Sequence, residues 1–139
     1  MRVAAPLLAV SALLLPLSAA PQAAYKSTLR SNCTPDCVAT VIVPFGCGSG
    51  IRVAPDPLVI EKGKESTIKW NVTGKWEFDK ANGIHVHGAG STFTVRGIHD
   101  KGRSFTVVIN HPDPAVFKYD INLIGPGGAC RLDPTIVNQ

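Results

Sequence analysis

The sequence predicts an all-β protein, a Greek-key β-sandwich of two sheets. Short runs alternate apolar with polar residues, and 11 prolines with 13 glycines cut the chain into pieces of strand length. No stretch of helical length repeats its apolar residues at helical spacing, so strands are the regular element the pattern supports. Roughly eight or nine such strands, each with a buried face, need two sheets packed on one another.

Residues 1–20 stand apart. A single charge at Arg2 precedes an apolar run (LLAV, ALLLPL) and the small residues Ser18, Ala19 and Ala20. That is the layout of a secretory signal peptide, cut between about residues 19 and 24. Pro6 and Pro16 disfavour the alternative, an uncleaved membrane anchor. Residues 25–36 are polar and aperiodic and read as an N-terminal linker, and residues 37–139 read as the sandwich domain. Cleavage would leave roughly 119 residues, enough for one core and one domain.

The domain opens with VATVIV at residues 38–43, β-branched and ended by Pro44 and the glycine-rich GCGSG. Ile51 with Val53, Leu58 with Ile60, and Ile68 with Trp70 then share faces in three short strands, broken at Pro55-Asp56-Pro57 and Lys62-Gly63. Trp76, Phe78, Ile84 and Val86 flank a turn at residues 79–83. Phe93 and Val95 alternate with Thr92 and Thr94 up to a stop near Gly97. Phe105, Val107 and Ile109, then Phe117, Tyr119, Ile121 and Leu123, mark the two clearest strands, and the HPDP turn between them predicts a hairpin. Thr135 to Val137 would add a last edge strand. The expected core comprises Val41, Val43, Ile51, Val53, Ile60, Ile68, Trp70, Val86, Phe93, Phe105, Val107, Ile109, Phe117, Tyr119 and Ile121.

Four cysteines, Cys33, Cys37, Cys47 and Cys130, in an exported chain imply two disulfides. Three pairings are open, and the expected one joins Cys33 to Cys37 and Cys47 to Cys130. CTPDC has three residues between its cysteines, not the two of a thioredoxin-type redox motif. The net charge of +4 is spread over interleaved lysines and glutamates, as at Lys62, Lys64, Glu65 and Lys69. A nucleic-acid ligand would need clustered cations, so the chain is not expected to bind one.

The stretch IRVAPDPLVIEKGKESTIKW at residues 51–70 resembles the opening of a cupredoxin domain, and the resemblance extends from about residue 38 to the end. It implies a cupredoxin-like sandwich, with an immunoglobulin-like one as the alternative. It also raises copper, because copper-carrying members hold the ion with two histidines, a cysteine and usually a methionine, three of them on one late loop. Here Cys130 is followed by RLDPTIVNQ, which has neither His nor Met, Met1 is the sole methionine, and Trp70 is followed by NVTGKW, without the family's first histidine. A blue-copper site is therefore not expected.

A different metal site rests on His85 and His87. Two residues apart in a strand, they point to one face and could share a Cu or Zn ion, with His111 as the third ligand and His99 at the opposite edge. The plainer reading places them on an exposed polar face, with Ile84 and Val86 buried behind. No GxSxG or HExxH motif occurs, and Glu77, Asp79, Asp113, Asp120 and Asp133 form no recognisable catalytic pattern, so no catalytic residue is assigned. Asn71-Val72-Thr73 matches a glycosylation acceptor, relevant in a eukaryotic secretory route alone. The expectation is a secreted or periplasmic, non-catalytic binding or structural module without cofactor. It would not insert stably in a membrane after cleavage, and the sequence leaves its partner unknown, a protein of the envelope or exterior being one candidate. The alternative is an envelope metal-binding protein using the His85/His87 pair.

Overall fold

The computed structural model describes residues 32–33, 35–61, 63–110 and 114–138. The expected leader and its cut, most of the linker, His111 and Asp113 lie outside the described residues. Among the described residues there are eleven strands: β1 (Asp36–Ile42), β2 (Arg52–Ala54), β3 (Leu58–Ile60), β4 (Ser66–Val72), β5 (Glu77–Phe78), β6 (Ile84–Val86), β7 (Phe93–His99), β8 (Ser104–Ile109), β9 (Ala115–Gly125), β10 (Gly128–Leu132) and β11 (Thr135–Asn138). Alternation decides which way each side chain faces. Along β4, Ser66, Ile68, Trp70 and Val72 are buried while Thr67, Lys69 and Asn71 are half-buried, the period of two that a sheet with one face on the core requires.

The first sheet has the order β2-β1-β4-β8-β7, with β1 and β4 parallel and the other neighbours antiparallel. In the second sheet, β9 is the long central strand. On one side it pairs with β10 and then, in one unbroken register across Asp133-Pro134, with β11, which in turn pairs parallel with β3. On its other side lie β5 and β6. The inner faces meet over Trp70 and Tyr119, both fully buried, whose ring centroids are 5.4 Å apart. The Trp70 indole N–H donates to the Tyr119 hydroxyl at 3.2 Å, which satisfies the buried polar end of each ring.

Of the expected core, Val41, Ile51, Ile60, Ile68, Trp70, Phe105, Val107, Ile109, Tyr119 and Ile121 are buried. Val43, Val53, Val86, Phe93 and Phe117 pack against it half-buried. Leu58, Phe78, Leu123 and Ile136 join it. Both disulfides pair as expected, Cys33 with Cys37 and Cys47 with Cys130. Such bonds belong to an oxidising environment. Among the described residues no helix is long and apolar enough to cross a membrane.

Three expectations need correction. The strands containing Phe105 and Phe117 are not a hairpin: β8 is flanked by β4 and β7 in the first sheet, and β9 belongs to the second. Alternation reports that a strand has one buried face but is silent on its neighbour, and a short loop can turn a hairpin or cross between sheets. Thr135 to Val137 lie in an inner strand between β9 and β3, because β3 adds outside them. The strand expected to stop near Gly97 continues to His99 through a bulge between Val95 and Gly97. The sandwich also reaches back into the stretch expected as linker. Cys33 is buried and bridges Ile60, while the Asn32 side chain accepts from the Val59 N–H at 2.8 Å and donates to the Pro57 carbonyl at 3.0 Å.

Candidate functional site

On β6, Ile84 pairs with Ile121 and Val86 with Tyr119, which turns both inward and turns His85, opposite Asp120, outward. His87 follows the strand, its N–H held by the Lys118 carbonyl at 2.9 Å, and its ring centroid lies 5.0 Å from that of His85, edge to face. The two imidazoles are thus neighbours on the outer face of the second sheet, as their spacing predicts. His99 closes β7 opposite Ser104 in the first sheet and takes no part.

The outer face of β9 brings Asp120 among them. Its side chain is 8% exposed, with Arg131 Nη2 2.7 Å from Oδ2 and His87 Nε2 3.1 Å from Oδ1. Arg131 comes from β10, opposite Asn122, and so reaches Asp120 diagonally. The His87 contact has ion-pair length, and Oδ1 is buried with no hydrogen bond of good geometry among the described residues. Burial pushes the Asp120 carboxyl up, but the Arg131 guanidinium and His87 outweigh it and hold the group below the ordinary carboxylate range. Arg131 is held above its ordinary value by the same carboxylate.

Beside this network the loop between β5 and β6 forms a wall. Asp79 Oδ1 accepts from the backbone N–H groups of Ala81 at 2.8 Å and Asn82 at 2.9 Å, an Asx-type turn. Asn122 ties the loop down, its side-chain amide donating to the Asn82 carbonyl at 2.6 Å and its backbone N–H to that of Gly83 at 2.8 Å. The result is a hollow of about 490 Å³ edged by Asp79, Asn82, His85, Asp120, Asn122 and Arg131. Its rim groups are polar and its floor is a fixed sheet, suited to holding a polar group by hydrogen bonds.

The sequence identified His85 and His87 but placed Asp120 only among scattered carboxylates and passed over Arg131. Both sit at outward positions of their strands, and only the register between β9 and β10 brings them together. Among the described residues no group of three or more His, Cys, Asp and Glu side chains gathers in a way that could hold a metal ion. All four cysteines are in disulfides, and the Asn71 side chain accepts from the Ser104 hydroxyl at 2.9 Å. Comparison with protein-family models and with curated proteins finds no match to this chain.

Proposed function

We propose that the chain is an exported, non-catalytic binding module on a cupredoxin-like sandwich without blue copper, and that it holds its partner at the hollow on the outer face of the second sheet. The observation that carries this reading is Asp120. A carboxylate this buried, clamped by Arg131 and flanked by two imidazoles, is expensive to maintain on an outer sheet face and pre-positions the groups around it. Kinship to cupredoxins is supported by residues 51–70, which fold into β2, β3 and β4 as the resemblance implies. Export is supported by the two disulfides and by the leader pattern of residues 1–20.

Nitrogen-15 spectra recorded with arginine amide, lysine amide, acetate and a methyl glycoside test the site. Shifts confined to Asn82, His85, Asn122 and Arg131, and lost in His85→Ala, support it; probes that leave these amides unmoved count against it. A second reading, Cu or Zn binding through His85 and His87, draws on the 5.0 Å ring spacing and needs a further ligand from outside the described residues. Calorimetric titration with either ion separates the two, since sub-micromolar binding abolished by His87→Ala favours the metal.

A further inference from the structure

A different part of the sandwich carries a second site. In a regular strand every second residue shares a face, yet Val95 and Ile98, three apart, both face inward, because the bulge inserts one residue between Val95, paired with Val107, and Ile98, paired with Phe105. Gly97 makes this possible with a φ of 105°, which a side chain would oppose. β7 is the edge of its sheet, so these residues look into the gap between the sheets where it opens to solvent. Across from them stands the two-residue β5 with its following loop. The gap is a crevice of about 530 Å³ with Phe78 and Phe105 at its floor, ring centroids 5.8 Å apart, Val95 and Ile98 on one wall, and Lys80 and Lys101 at the mouth. Val95 is 59% exposed.

Glu77 also lines the crevice, but the two lysines outnumber it. Lys80 and Lys101 are exposed and form no ion pair among the described residues. Lys101 also edges an adjoining depression with Lys75 and Arg103, where Glu77 is the single carboxylate among the described residues. Lys75, Lys80, Lys101 and Arg103 thus outnumber the neighbouring carboxylates Glu77 and Asp79 beside an apolar slot.

We propose that this crevice binds a free single-chain anionic amphiphile of the fatty-acid class, its hydrocarbon between Phe105 and Val95 and its carboxylate at Lys80 and Lys101. The apolar floor accounts for the chain, and the excess of lysines over carboxylate accounts for the head group. Addition of a peptide strand to β7 is disfavoured by the same bulge, which disrupts the ladder of its free edge.

Calorimetry on the full chain with hexanoate, octanoate, decanoate and dodecanoate below their micellar concentrations tests the proposal. Affinity should rise about threefold or more per added methylene, as burial of each group implies. Decyltrimethylammonium should bind at least tenfold more weakly than decanoate, and Lys80→Glu with Lys101→Glu should weaken decanoate tenfold without changing Tm, since both side chains are exposed. Equal affinity for the two head groups, absence of chain-length dependence, or binding to phosphatidylglycerol vesicles but not to monomeric dodecanoate would each overturn it.

Discussion

Asp120 and Tyr119 are adjacent on β9 and face opposite ways, and each makes the fold sensitive to one end of the pH scale. Asp120 has a lowered carboxyl pKa in the folded protein. Its stabilisation is therefore present above the unfolded value of about 4 and is lost as pH falls through the folded value. Urea unfolding between pH 6 and pH 2 should show a steeper loss below about pH 4 in the wild type than in Asp120→Asn. Arg131→Ala should lower the urea midpoint at neutral pH, by less than the loss of one partner of a fully buried pair, because Arg131 is 62% exposed and water partly replaces it. Tyr119 behaves oppositely. Burial holds its phenol above the ordinary tyrosine range. The unfolded chain therefore ionises first, and stability falls as pH rises past about 10. Tyr119→Phe should remove part of that alkaline loss and cost about 1–3 kcal/mol at neutral pH, since the buried Trp70 N–H is left without its acceptor. Equilibrium unfolding monitored by tryptophan fluorescence measures both arms.

β9 does the most to organise the fold. Its inner residues Tyr119, Ile121 and Leu123 are fully buried, and its outer residues Asp120 and Asn122 build the polar hollow. At its end Gly125 lies under Trp76: a Cβ there would stand 2.6 Å from Trp76 Cδ2 and 2.9 Å from Cζ3. Gly125→Ala should therefore displace the indole and cost about 1–3 kcal/mol, read as a lower urea midpoint with an altered Trp76 emission. Much at this scale was legible beforehand, because Phe117, Tyr119, Ile121 and Leu123 alternate with polar residues and only an extended chain with one buried face uses that order. The bulge in β7 was not. Gly97 reads as a strand end, and only pairing with β8 shows the strand continuing past it with its faces shifted.

At the scale of the molecule, the two disulfides tie chain segments of very different length. Cys33 and Cys37 are 4 residues apart, whereas Cys47 and Cys130 are 83 apart. On the chain-entropy model the long closure stabilises by about 4–5 kcal/mol and the short one by about 2 kcal/mol. Thermal unfolding of Cys47→Ala/Cys130→Ala should thus show about twice the loss seen in Cys33→Ala/Cys37→Ala. The longer bond joins the loop after β1, in the first sheet, to β10 in the second, and so holds the two layers together.

By itself the sequence determined that the chain is all-β, where most strands run, which side chains turn inward, and that His85 and His87 share an outer face. These properties are local: the period of two, the turn residues and cysteine chemistry act over a few positions. Only the tertiary structure decided that β8 and β9 part into different sheets, that β11 is an inner strand, that Asp120 meets Arg131 and His87, and that Val95 and Ile98 line one crevice. Each depends on the register between strands remote in sequence. Pairing energy is nearly the same for many neighbours, and the choice falls to whichever arrangement buries all the apolar faces together.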